Sequence, residues 1–272
     1  TMKRNILLIT SDQQRWDTIG VLNDKIKTPN LDKLAKDGVL FNRGYTNNPV
    51  CTPTRVSLLT GHYPSKHGCY TIGNSLNEDY PTIPSIVSEN GYKTALIGKA
   101  HFKAALQEGS FEAAPNVHDR DVFRNWTGPY YGFEHAELVI GHGDEPHSAG
   151  MHYGLWLEEQ GINTDDYFGK NLYYEYGKWE LPDELSSSNW TAIRTIEAIK
   201  SAQNEDKPFY IWSSFQNPHN PCFVPEPWYS MYDDADLPTY DYVEGEFDNK
   251  PDFYNNIRNW DISVSGEDDP KY

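Results

Sequence analysis

The sequence predicts an α/β fold, a mainly parallel central sheet with helices on both faces. Three observations predict it. Apolar runs of strand length alternate with helix-like segments through the first hundred residues and again near residue 200. The runs are continuously apolar, as in strands covered on both sides, rather than alternating. Polar, chemistry-bearing clusters follow those runs, and open parallel sheets gather their ligands at the C-terminal strand ends.

Residues 5–10, Asn-Ile-Leu-Leu-Ile-Thr, read as the first buried strand. Residues 28–38 read as a helix with Thr28 as cap, Pro29 at its first position and Gly38 past its end. Residues 39–45 read as a second strand. In the segment 51–61, Thr52 is the expected cap, Pro53 the first helical residue and Gly61 the stop, which sets Cys51 just before a helix N-terminus. Residues 82–90 form a short helix stopped by Gly91, and 92–97 a strand ending at Gly98. Residues 190–203 are helical, with Asn189 the candidate cap, and 208–215 are again an apolar strand. Between about 104 and 188 periodicity is poor, and the expectation is a loop-rich insertion over the sheet, of a length usually tied to binding.

The chain has 272 residues, enough for one large α/β domain. Its formal net charge of -17 disfavours nucleic acid and anionic membranes as partners, because both need a basic face. It also sets a condition: an anionic substrate requires local cations that reverse the global field. Twelve acidic residues against two basic ones between Asp233 and Asp269 read as solvated surface. Three scattered cysteines make neither a disulfide framework nor a zinc knuckle. No segment is apolar enough to span a membrane and no leader is evident, so a cytoplasmic location is expected, or a periplasmic or secreted one if a leader was removed. Eight Trp and 19 Tyr suit either a sugar-handling surface or a large core.

Four clusters follow the expected strands: Ser11-Asp12-Gln13-Gln14-Arg15, Asn48 to Arg55, Gly98-Lys99-Ala100-His101-Phe102-Lys103, and Gln216-Asn217-Pro218-His219-Asn220-Pro221. Together they point to one site. Cys51 at a helix N-terminus lies where free N–H groups and the dipole favour an anion, and Arg55, one turn in, points back at it. Taken alone, a cysteine there is more often a buried core residue. A thiolate phosphatase needs Cys and Arg separated by five residues, but that position is Ser57.

Cys51-Thr52-Pro53-Thr54-Arg55 followed by Leu59-Thr60-Gly61 matches the pattern Cys-x-Pro-x-Arg-x-x-x-Leu-Thr-Gly at every fixed position. The chain therefore resembles the N-terminal part of a type I sulfatase, of the alkaline phosphatase superfamily. Asp12-Gln13 resembles that family's first metal-binding stretch, Lys99 and His101 its Gly-Lys-x-His element, and Pro218-His219-Asn220-Pro221 its Pro-His-x-Pro element. The resemblance implies an alkaline-phosphatase-like sulfatase fold in which residues 1–272 are the N-terminal part of the catalytic domain. It implies that a formylglycine-generating enzyme oxidises Cys51 to formylglycine, whose hydrate has one hydroxyl to attack sulfur and a second to release the sulfate, which a thiol lacks. Asp12, Gln13 and the modified Cys51 would hold a divalent metal, calcium in most of the family. Arg55 and Lys99 would neutralise the sulfate oxygens, His219 would protonate the leaving alcohol and His101 would take a proton from the nucleophile. Lys99, His219 and Lys103 would contact a small-molecule or carbohydrate sulfate ester.

Family members continue into a strand ending in Asp-Asn or Asp-His that completes the metal site. No such element is found after Pro221, and Asp248-Asn249 follows no apolar run. The expectation is a chain truncated at its C-terminus and possessing too few metal ligands. Two rival readings stand beside the sulfatase: a phosphonate or phosphate monoester hydrolase of the same superfamily, and a non-catalytic truncated chain.

Overall fold

The computed structural model describes residues 3–105, 107–141, 146–169, 176–232, 243–251 and 254. The chain divides into two units, Thr1–Asp233 and Asp234–Tyr272. In the first unit the elements run β1 (Ile6–Thr10), α1 (Pro29–Asp37), α2 (Cys51–Thr60), α3 (Pro64–His67), α4 (Ile83–Glu89), β2 (Lys93–Gly98), α5 (Arg120–Asn125), β3 (His135–Leu138), α6 (Met151–Glu159), β4 (Tyr176–Lys178), α7 (Ser187–Asn204), β5 (Phe209–Ser214) and β6 (Cys222–Val224). In the second unit the described residues 243–251 form turns, with Glu244, Glu246 and Asp248 exposed. The rest of the acidic run, and 255–272, lie outside the described residues, as does His142.

The main sheet has the order β1-β5-β2-β3, all parallel. Helices cover both faces. On one, Ala95 of β2 and Phe209 and Ile211 of β5 pack against Ala198, Ile199 and Ala202 of α7. On the other, Leu96, Tyr210 and Trp212 pack against Val56 and Leu59 of α2 and Ile83 and Val87 of α4. Neighbouring residues of one strand thus enter opposite cores, so the apolar runs do not alternate with polar positions. A second, two-stranded parallel sheet pairs β4 with β6. Among the described residues no helix is long and apolar enough to cross a membrane.

Several local expectations hold. A short helix lies within 82–90, Pro29 opens α1 and Gly61 ends α2 at φ 72°; the structure adds a reciprocal capping box between Thr82 and Ser85 at the start of α4. Others are corrected. Residues 39–45 form no strand: Val39, Phe41 and Tyr45 are exposed and without a ladder, and apolar composition makes a strand only where a partner exists. Helix α2 begins at Cys51 itself, with Val50 in the extended cap position, so Cys51 is the first helical residue and Thr52 is not the cap. Ser186, not Asn189, caps α7, accepting from the Asn189 N–H. Strand β1 is not buried on both faces: Ile6, Leu7 and Ile9 are exposed because it lies at the sheet edge and α1 buries no residue against it.

The segment 104–188 holds more than loops. It supplies β3, paired in register with β2 from Ala95↔His135 to Gly98↔Leu138, and α6, which packs on β3. Its four-residue strand carries His135 and Glu137, so it gives little apolar signal. Much of the aromatic content is core: Trp190, Trp212, Tyr153 and Phe102 are fully buried, and Phe102 packs against the rings of Tyr130, Tyr131 and Trp212.

Candidate active site

Parallel strands deliver their C-terminal ends to one edge, and three site segments start there, after β1, β2 and β5, while α2 brings Cys51 and Arg55 to them. Gly98, at φ 104°, ends β2 against β5; a Cβ on it would sit 2.0 Å from the Ser214 carbonyl oxygen. Only glycine permits that approach. The Lys99 N–H then donates to the same carbonyl at 2.9 Å. After β1, the Asp12 N–H donates to Asn217 O at 3.2 Å, which ties the first cluster to the one after β5.

Asp12 is the centre. Its buried carboxylate pairs with Lys99 Nζ and lies 3.4 Å from Arg55 Nη2. Cys51 Sγ lies 3.8 and 4.0 Å from its two oxygens and 3.9 Å from Lys99 Nζ. Arg55 Nη1 donates to Lys99 O and to Ser214 Oγ, both at 2.8 Å, so one guanidinium joins α2 to the ends of β1, β2 and β5. Ser214 has no part in the sequence-based site. Its only signal is its place as the last residue of the strand before the fourth cluster.

Burial governs the charges. It raises the Asp12 carboxyl pKa, but Lys99 and Arg55 outweigh it and hold the group below its ordinary value. Burial lowers the Lys99 ammonium pKa, as does Arg55, against the pull of Asp12. Two cationic side chains thus face one carboxylate, a local positive excess in a chain of net charge -17. That satisfies the condition for an anionic substrate.

His101 follows at φ 61° and is buried, with neither ring nitrogen hydrogen-bonded among the described residues. Burial, then Lys99 and Arg55, push its pKa well below the ordinary value, so the ring is neutral. His219 is partly buried, and its Nδ1 lies 2.6 Å from Asn220 O. That contact assigns the proton to Nδ1 and makes Nε2 the basic nitrogen. Burial and Lys99 lower its pKa too. Asp12, Arg55 and Lys99 act electrostatically on both histidines, which places the six groups in one neighbourhood.

The remaining expected residues are Gln13 and Lys103. Gln13 is exposed at φ 58°. Lys103 forms an ion pair with Glu78, and its main-chain N–H donates to Glu112. Among the described residues no three His, Cys, Asp or Glu side chains are arranged to hold a metal ion. Calcium takes six to eight oxygens, whereas among the described residues Asp12 is the one carboxylate in contact with Cys51 and is engaged by two cations. The described residues therefore do not by themselves fit a calcium ion.

The family model described as sulfatase matches residues 4–265. An arylsulfatase of Clostridium perfringens is 32% identical over 256 residues, which are 92% of this chain and 50% of that protein. An N-acetylgalactosamine-6-sulfatase of Canis lupus familiaris is 27% identical over 247 residues, 82% of this chain and 41% of that one. The solved phosphonate monoester hydrolase of Silicibacter pomeroyi superposes with a TM-score of 0.68 at 25% identity, covering 90% of this chain and 47% of that one. The chain spans about half the length of the curated relatives it matches.

Proposed function

Because this chain belongs to the sulfatase family, we propose that it is the N-terminal part of a catalytic domain that hydrolyses sulfate esters with a formylglycine made from Cys51. The observation that carries the reading is the position of Cys51 Sγ, within 4.0 Å of both Asp12 oxygens and of Lys99 Nζ at the first residue of α2. An aldehyde hydrate fits those surroundings, with a carboxylate to accept from it and an ammonium to donate to it. Formylglycine, once formed by a formylglycine-generating enzyme, supplies the second oxygen that a thiol lacks.

The chain's own residues divide the remaining work. The open N–H groups at the start of α2, with Lys99 and Arg55, bind and orient the sulfate oxygens. His101, held neutral, is able to take a proton. His219 protonates the leaving alcohol. Its lowered pKa leaves the protonated form scarce in the empty site, and a bound anion offsets the nearby cations and raises it. The relatives' names support an aryl sulfate or a sulfated sugar as substrate. The phosphonate monoester hydrolase neighbour supports a second reading, hydrolysis of phosphonate or phosphate monoesters.

Parallel assays on aryl sulfate and aryl phosphonate esters, using protein co-expressed with a formylglycine-generating enzyme, test both. Sulfate turnover that disappears in Cys51→Ala is the expected result. Faster phosphonate turnover with the same dependence on Cys51 selects the second reading. Turnover of neither ester leaves a non-catalytic chain.

A further inference from the structure

We infer that Glu112 is a positioning residue for the Lys99–His101 segment, acting through the main-chain N–H groups just beyond His101. Glu112 lies in the aperiodic stretch, and nothing in the sequence marks it. It is 2% exposed, and its Oε1 accepts from Phe102 N–H at 3.0 Å, Lys103 N–H at 3.2 Å and the Tyr130 hydroxyl.

Three features make this more than core packing. First, His101 sits in the left-handed region, which residues with a Cβ seldom occupy. The clamp falls on the next two amides. Second, the opposite side of the turn is also held: Leu76 N–H donates to Phe102 O at 2.9 Å, and Ala104 N–H to Ser75 Oγ at 2.9 Å. The turn is fixed from both sides, with the Phe102 ring in the core and His101 on the site. Third, among the described residues the His101 ring has no hydrogen-bond partner, so its orientation follows the backbone that carries it.

Burial raises the Glu112 pKa. Among the described residues Oε2 has no hydrogen-bond partner, and the contacts from Phe102, Lys103 and Tyr130 fall on Oε1. A neutral carbonyl oxygen at that position does the same work. The clamp therefore depends on an acceptor rather than on a charge, and glutamine replaces it while leucine does not. The catalytic consequence rests on the sulfatase reading; the clamp itself does not.

The test compares Glu112→Gln, Glu112→Leu and Tyr130→Phe in the full chain. Amide exchange at Phe102 and Lys103 and the ring signals of His101 are followed by NMR, with thermal unfolding as the control for fold. In Glu112→Leu, exchange at the two amides accelerates at least about 10-fold and the His101 ring signals move. Glu112→Gln matches the wild type on both. Tyr130→Phe, which removes one hydrogen bond and keeps the packing, accelerates the same amides by a smaller factor; this variant decides the matter should Glu112→Leu not fold. In matured protein, Glu112→Leu lowers kcat with KM little changed, and Glu112→Gln restores it. Wild-type amide exchange in folded Glu112→Leu or in Tyr130→Phe, or a Glu112→Gln as disturbed as Glu112→Leu, overturns the inference. A wild type without ester turnover overturns the sulfatase reading alone, because exchange and ring signals still decide on Glu112.

Discussion

Arg55→Lys keeps a positive charge beside Cys51 and removes the fork that carries it. The guanidinium contacts Lys99 O and Ser214 Oγ at 2.8 Å and Asp12 Oδ2 at 3.4 Å, with its side chain 6% exposed. A lysine ammonium is a point donor on a flexible stem and replaces one of these contacts. Two are then unmade. A buried acceptor deprived of its donor costs about 1–3 kcal/mol. Ser214 Oγ also receives Thr10 Oγ1 at a long 3.4 Å, which softens its share. The expected destabilisation is about 2–4 kcal/mol, or a fall in Tm of roughly 4–8 °C for a chain of this size. Thermal unfolding of the purified variant and wild type at one salt concentration measures it. Because Arg55 is buried, the loss persists at high salt, where surface pairs are screened. A stability change within about 0.5 kcal/mol, the range of an ordinary surface substitution, refutes the view that Arg55 is the strut joining α2 to three strand ends. It would then serve the substrate alone.

Protein co-expressed with a formylglycine-generating enzyme should carry an aldehyde at Cys51 in part of its chains, and peptide mass mapping that finds unmodified cysteine throughout contradicts the proposed nucleophile. Glu137, 6% exposed and held by His135 and Arg194, has its pKa lowered from 4.5 to about 2. A carboxylate with a depressed folded pKa stabilises above its unfolded value and loses that contribution as pH falls through 4.5 towards about 2. At about 1.4 kcal/mol per pH unit this amounts to about 3 kcal/mol. Denaturant unfolding across that window should show the loss, and Glu137→Gln should flatten the slope. Calcium titration of the monomeric chain by calorimetry should find binding no tighter than about millimolar, the range of weak oxygen sites; micromolar affinity would mean that ligands beyond Asp12 lie within these residues.

What the sequence determined by itself is what short-range physics encodes. Prolines at helix starts, Gly61 at a helix end, and apolar runs of strand length each act within about one turn or one strand. The Cys51-to-Gly61 pattern is equally local, so the nucleophile candidate and the four clusters were legible. What the tertiary structure decided concerns partners far apart in the chain. Residues 39–45 have strand composition but no ladder, because β5, from more than 160 residues later, takes the place between β1 and β2. His135-Ala-Glu-Leu has weak strand composition, yet becomes β3 because β2 offers it an edge. Arg55 is largely engaged by Lys99 O and Ser214 Oγ, Lys99 is paired with Asp12, and Glu112 clamps the amides of Phe102 and Lys103. Nine to 159 residues separate these partners. Each type of side chain admits many partners, and the choice is made when buried hydrogen-bonding groups must find one inside the folded chain.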